Sequence, residues 1–308
     1  MVEPRPLGAL ETPAFELLDP RFEPCVVAGA QVERLWTGGI WVEGPAWLAS
    51  SRTLVWSDIP NDRMLAWHEM DGSISTFRQP AQSANGNTTD REGRLVTCEQ
   101  ATRRITRTEP DGTITVLVDR FGGKRFNAPN DIVVKSDGTI WFTDPDYGKS
   151  PVYQGERELE GCHVYRLDPA TGTISQVTDD FEMPNGLAFS PDEATLYIID
   201  TGSSHSPGGP NHIRRFAVTG KNGTLQGAEV LIGDAANYDG LRIDTAGRLW
   251  CGTDDGVRCY LPDGTLIGRI PLPERAANLC FTGDDRSRLM ICGTTSLYAC
   301  PTAVRGLR

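Results

Sequence analysis

The sequence predicts an all-β protein: a six-bladed β-propeller with four-stranded antiparallel blades, closed by an N-terminal strand that joins the last blade. Three observations lead there. A hairpin-like pattern recurs six times in 308 residues: a polar residue, an apolar run, a turn and a second apolar run. Its clearest copy is NAPNDIVVKSDGTIWFTDPDYG, residues 127–148, which turns at Ser136-Asp137-Gly138. Next, the copies lie roughly 40 to 55 residues apart, a spacing that suits propeller blades. Finally, every copy keeps the same phase. The opening residues are Glu43, Asn85, Asn130, Asn185, Asp239 and Asn278. In the same order, Leu54, Leu95, Ile140, Leu196, Leu249 and Leu289 follow in the second strand.

Residues 1–30 read as an N-terminal arm with at most a helical turn at 15–18. Residues 31–308 read as one propeller domain. Residues 31–42, QVERLWTGGIWV, read as a strand preceding the first repeat. The last repeat supplies only three clear strands, near 278–283, 288–292 and 296–300. The early strand is therefore expected to complete it and remove the ring's open edge. Blade one runs from 43 to 78 and turns at Asp71-Gly72. Blade two runs from 85 to 118 and turns at Asp111-Gly112. Blade three starts at Asn130 and carries an insertion, 145–161, with Tyr147 and Tyr153. Blade four starts at Asn185 and carries the insertion TGSSHSPGGPNH, 201–212. Blade five starts at Asp239, with turns marked by Gly247, Asp255-Gly256 and Asp263-Gly264. Blade six starts at Asn278. In an up-and-down blade the first strand begins where the second ends. Both insertions should thus border the mouth that carries the six polar positions, where long loops commonly bind ligands.

Composition narrows the function classes. The net charge of −11 argues against nucleic acid or an anionic membrane as partner. No run of apolar residues is long enough to span a membrane. The acidic, proline-broken start lacks the basic and apolar regions of a signal peptide, so a cytoplasmic location is expected. None of the eight cysteines forms a C-x-x-C pair, which predicts buried free thiols rather than a zinc site.

Six oxygen-bearing side chains without His or Cys at one mouth suit a hard divalent cation such as Ca²⁺, Mg²⁺ or Mn²⁺. The competing reading is that Asn and Asp merely cap turns; recurrence in all six copies weighs against it. Glu43, Asn130, Asn185 and Asp239 are the best-formed candidates as ligands. Asp239 is also placed to serve as base or nucleophile. No G-x-S-x-G, P-loop, G-x-G-x-x-G or H-E-x-x-H competes. His68, His163 and His212 fall in strand patterns, whereas His205 sits inside the blade-four insertion. Four residues are candidates for substrate contact, each beside a plainer reading. His205 faces substrate or solvent. Arg125, five residues before Asn130, binds substrate oxygens or is a surface charge. Tyr147 lines the pocket or packs the insertion. Glu99 meets a polyol or pairs with Arg103 or Arg104.

Together these segments resemble the senescence-marker-protein / gluconolactonase / luciferin-regenerating-enzyme family, in its bacterial gluconolactonase-like branch. The segments are Glu43-Gly-Pro-Ala-Trp47, Asn127-Ala-Pro-Asn-Asp131, Thr143-Asp-Pro-Asp-Tyr-Gly148, Pro184-Asn-Gly-Leu-Ala-Phe-Ser-Pro-Asp192 and Tyr238-Asp-Gly-Leu241. The resemblance implies a six-bladed propeller with one divalent metal in its channel, most simply Ca²⁺, with Mg²⁺, Mn²⁺ or Zn²⁺ as alternatives. It implies ligation by Glu43, Asn130, Asn185 and Asp239. It also implies hydrolysis of a sugar lactone to the aldonic acid, the metal polarising the carbonyl and Asp239 acting as general base. Two other readings stand beside it. One is a phosphotriester hydrolase using the same metal site; the other is a non-catalytic propeller that serves as a binding scaffold.

Overall fold

The structure is a computed structural model, and it describes residues 7–11, 13–147, 156–220, 222–233 and 236–307. Six four-stranded antiparallel blades follow one another around a ring. Blade one is Val42–Leu48, Thr53–Asp58, Arg63–His68 and Ile74–Arg78. Blade two is Ala84–Thr89, Leu95–Glu99, Arg104–Thr108 and Ile114–Val118. Blade three is Ile132–Val134, Ile140–Asp144, Cys162–Asp168 and Thr173–Phe181. Blade four is Pro184–Phe189, Thr195–Asp200, His212–Thr219 and Thr224–Ile232. Blade five is Leu241–Ile243, Leu249–Thr253, Gly256–Tyr260 and Leu266–Pro271. Blade six is Ala276–Thr282, Arg288–Gly293 and Ser296–Pro301, completed by Glu33–Thr37. That closing strand sets Thr37 opposite Ser296 and Trp36 opposite Leu297. Sequence-distant ends thus share one ladder, and the ring is left without an open edge between its first and last blades.

First strands of neighbouring blades pack against each other and wall the channel. The apolar sets of successive blades meet in the clefts between them. Between blades two and three, Phe126 packs against Phe142 and Tyr165 with ring centroids 5.2 Å and 5.1 Å apart. All eight cysteines are free and buried, as the absence of paired motifs predicts.

The N-terminal arm packs along the propeller. Residues 15–18 form no helical turn. Instead Glu16–Leu17 pairs as a short strand with Leu266–Pro271, on the outer edge of blade five. Helical geometry comes later, in a 3-10 turn at Pro20–Cys25, where the Asp19 carboxylate accepts the Arg21 N–H at 2.9 Å. Pro20 at its start presets the required φ. Phe22 explains the arrangement: it is fully buried, with its ring 5.9 Å from Trp250. A Cβ on Gly268 would run into that ring, so glycine is what admits it.

Two local devices set the polar positions at the start of the first strands. The first is a break in the ladder. Register shifts fall between Glu43 and Ala46, Ala84 and Asn87, Pro184 and Leu187, and Ala276 and Asn278. In blades three and five the first strand begins only after Asn130 and Asp239. Such bulges re-aim side chains out of the pleat. The second device is glycine at the next position. A Cβ on Gly44, Gly86, Gly186 or Gly240 would strike the following blade at Asn85, Asn130, Asp239 or Asn278. The bare backbone instead allows inter-blade hydrogen bonds, Gly86 N–H to Asn130 O at 2.8 Å and Gly186 N–H to Asp239 O at 3.0 Å.

Candidate functional site

One end of the channel opens into a cavity of about 410 Å³. Glu43, Asn85, Asn130, Asn185 and Asp239 line it, together with Tyr147 and His205. The convergence expected of the repeat therefore exists for five of the six positions. Asn278 is the exception. Its Oδ1 accepts the Leu279 N–H at 2.9 Å and its side chain hydrogen-bonds Glu43, so it supports the site from beside the cavity. A second cavity of about 430 Å³ opens at the other end of the channel, lined by residues that include Arg91, Glu193, Arg242 and Arg286. It holds none of the six polar positions.

The hydrogen bonds at the first mouth have a direction. Asn185 Nδ2 donates to Asp239 Oδ1 at 2.8 Å and to Tyr147 Oη at 3.0 Å. Both amide protons are thereby used, and the Asn185 carbonyl oxygen is left for another partner. Tyr147 Oη also lies 2.7 Å from Thr201 Oγ1, and its ring packs on His205 with centroids 5.0 Å apart. Burial, with the nearby Asp239 charge, pushes the Tyr147 hydroxyl well above the usual phenol range, so it stays protonated. Asn85 Oδ1 is buried without a hydrogen-bond partner among the described residues.

Glu43 and Asp239 are almost fully buried, 2% and 6% exposed. Desolvation raises the Glu43 carboxyl well above its ordinary value, and the Asp239 and Asp131 charges raise it further. Desolvation likewise raises Asp239, to about 6, while Arg275 and the Asn185 amide oppose the rise. Asp131, fully buried beside Asn130, pairs through Oδ2 with Arg242 Nη1 at 3.3 Å. Among the described residues no cluster of three or more His, Cys, Asp or Glu side chains gathers. The donors at this mouth are instead two carboxylates set among carboxamides.

The remaining sequence candidates lie elsewhere. Glu99 is 1% exposed and consumed by its neighbours: Oε2 takes Arg104 Nε at 2.6 Å and Oε1 takes Thr106 Oγ1 at 3.0 Å. Arg78 adds a contact at 3.3 Å. This is the ion-pair alternative, made with Arg104 and Arg78, while Arg103 binds the Phe126 carbonyl and Glu158. Arg125 lies in a short hairpin after blade two and donates through Nη2 to Thr102 O at 3.1 Å. Neither Glu99 nor Arg125 lines the cavity. Tyr153 and Gly148 fall outside the described residues.

Several lining residues escaped the sequence reading: Arg275, Trp41, Ile40, Ile59, Pro60, Gln100, Thr201 and Ser204. Arg275 is the foremost. Its Nε lies 3.6 Å from Asp239 Oδ2, Nη1 lies 3.2 Å from Asp254 Oδ1, and Nη2 donates to Asn237 O at 3.0 Å. A signal was present in the sequence, since Arg275 and Trp41 each come two or three residues before a repeat's opening polar position.

Comparison with known proteins agrees with this architecture. Residues 41–295 match the SMP-30/Gluconolactonase/LRE-like region family. A gluconolactonase of Zymomonas mobilis is 28% identical over 312 aligned positions, covering 93% of this chain and 85% of its own length. A 6-deoxy-6-sulfogluconolactonase of Pseudomonas putida is 29% identical, covering 81% of each protein. The solved structure of a Xanthomonas campestris gluconolactonase superimposes with a TM-score of 0.89 at 37% identity, over 98% of this chain and 99% of that one.

Proposed function

Because this chain belongs to the SMP-30/gluconolactonase/LRE-like family, we propose that it hydrolyses a sugar lactone of the gluconolactone kind to the aldonic acid. That makes it a carboxylic-ester hydrolase. The observation that carries the reading is the gathering of Glu43, Asn130, Asn185 and Asp239 around one cavity of about 410 Å³.

The donor set fits a hard divalent cation, Ca²⁺ foremost. Two mutually repelling buried carboxylates, the unpartnered Asn85 Oδ1 and the freed Asn185 carbonyl all call for positive charge. Glu43, Asn130, Asn185 and Asp239 would hold the ion, with Asn85 beside them. When bound, such an ion supplies charge balance and Lewis acidity toward a carbonyl oxygen.

The protein's own groups supply the rest. Asp239 accepts a proton from the attacking water as the water oxygen bonds to the acyl carbon. The ring C–O bond then breaks, and the proton held by Asp239 passes to the departing ring oxygen, giving a free hydroxyl and a carboxylic acid. Asn185 and Arg275 restrain the Asp239 carboxylate from either side. Neutral Tyr147 fixes the Asn185 amide, and with His205 it walls the cavity on the insertion side. Eight free, buried cysteines favour a reducing, cytoplasmic setting for the reaction. No helix among the described residues is long and apolar enough to cross a membrane.

The test is a panel of aldonolactones, read by acid release, after chelation and re-addition of Ca²⁺, Mg²⁺, Mn²⁺ or Zn²⁺. Turnover is expected only in the metal-restored samples. Full turnover of the chelated protein removes the metal from the proposal, and no turnover on any lactone removes the lactonase.

A further inference from the structure

The cavity has two unlike sides. Tyr147, Thr201, Ser204 and His205 present hydroxyl and imidazole groups on the insertion side. Blade one presents Ile40, Trp41, Ile59 and Pro60. These four stand next to the chemistry, because Trp41 is two residues before Glu43. Ile40 is 55% exposed at the rim, leaving part of an apolar side chain open to a ligand.

This wall is built rather than incidental. Asp58, fully buried, accepts the Ile40 N–H at 3.1 Å and also takes Asn61 Nδ2 at 2.8 Å and Arg63 Nε at 2.9 Å. The Ile59 N–H donates to Trp41 O at 3.1 Å. The two loops are thus joined, and the Arg275 guanidinium sits 5.9 Å from the Trp41 ring centroid. The same bonds consume the backbone donors of Ile40 and Ile59, and Pro60 has none. Of the wall's four residues only Trp41 keeps N–H groups to offer a hydroxyl. A fully hydroxylated substituent laid here would replace only part of the hydrogen bonds it gives up with water.

Resting on the lactonase reading above, we infer that the same site also hydrolyses lactones that carry an apolar arm, an alkyl or aryl substituent on the ring carbon that bears the ring oxygen, with the arm seated against Ile40, Trp41, Ile59 and Pro60. The bond chemistry is unchanged. Water adds to the acyl carbon, the ring C–O bond breaks, and the proton goes to the departing oxygen. The product is a hydroxy acid whose arm leaves the wall by the open rim.

The experiment uses the Ca²⁺-loaded full chain. It compares kcat/KM for γ-butyrolactone, γ-hexalactone, γ-octalactone and γ-decalactone, with glucono-δ-lactone as reference. Burial of each further methylene should raise kcat/KM by about threefold to fourfold until the wall is covered. Ile40→Ser and Ile59→Ser should flatten that dependence, judged within each variant against its own γ-butyrolactone rate. Ile40 is exposed, so its replacement spares the core. A flat or falling wild-type series alongside turnover of glucono-δ-lactone overturns the inference and leaves the lactonase standing. A rising series that both serine variants keep unchanged overturns the assignment to this wall. If neither glucono-δ-lactone nor any γ-lactone is hydrolysed, the underlying lactonase reading fails and the inference falls with it.

Discussion

Replacing Tyr147 by Phe removes one hydroxyl and keeps the ring that packs on His205 at 5.0 Å. The hydroxyl joins Asn185 Nδ2 at 3.0 Å to Thr201 Oγ1 at 2.7 Å. Without it, one Asn185 amide proton is left idle in a buried site, and Asp239 alone fixes which way the amide faces. The net loss of a neutral hydrogen bond is about 1 kcal/mol, and an orphaned buried donor costs about 1–3 kcal/mol. A loss of 1–2 kcal/mol at the site corresponds to about 5- to 30-fold. The expected result is a Ca²⁺ affinity weakened by about tenfold, with kcat at saturating Ca²⁺ largely restored. Calorimetric titration of chelator-stripped protein gives the affinity, and initial lactone rates across a Ca²⁺ series give the split. Thr201→Val keeps the Tyr147–Asn185 bond and should change the affinity by less than about threefold. A Tyr147→Phe affinity within twofold of wild type would refute the reasoning, since the amide would then need no support from Tyr147.

Other expectations concern the base, the buried acid of blade three and the N-terminal arm. Asp239→Asn should lower lactone turnover by about 10²-fold or more while retaining weakened metal binding; turnover at the wild-type rate would name another base. Asp144 is raised from 3.8 to about 7, chiefly by burial, against lowering by the Asn127 and Ala128 N–H groups and Arg103. The folded chain therefore holds that proton more tightly than the unfolded chain. Its effect is to make stability fall as pH rises from about 4 to about 7 and then level off. Urea unfolding should show Asp144→Asn gaining roughly 2–3 kcal/mol on wild type between pH 5 and pH 8; a constant difference would sink this assignment. Phe22→Ala should cost about 3–5 kcal/mol in denaturant unfolding, because the emptied space lies between Trp250 and Gly268.

Glu99 and Arg125 show where reading along the chain runs out. Both sit at the level of the mouth in the repeat pattern, and both look available in one dimension. In three dimensions Arg104, on the strand paired to Glu99, and Arg78, from blade one, neutralise the acid. Arg125 turns to the Thr102 carbonyl. Asn278 keeps its place in the repeat but spends its side chain on Leu279 and Glu43. In the opposite direction, Arg275 and Trp41 are far apart in sequence and meet over one cavity only because blade six closes onto the N-terminal strand.

The sequence by itself determined the blades, their order, the closing strand and the polar positions that ring the mouth. Strand alternation, turn residues and repeat phase are local properties, and each copy reports them independently. Only the tertiary structure decided which of those side chains remain free to face the cavity. It also decided which cation stands beside Asp239 and that one wall of the cavity is apolar. Those outcomes depend on contacts between neighbouring blades and between the two ends of the chain, and such contacts exist only once the ring has closed.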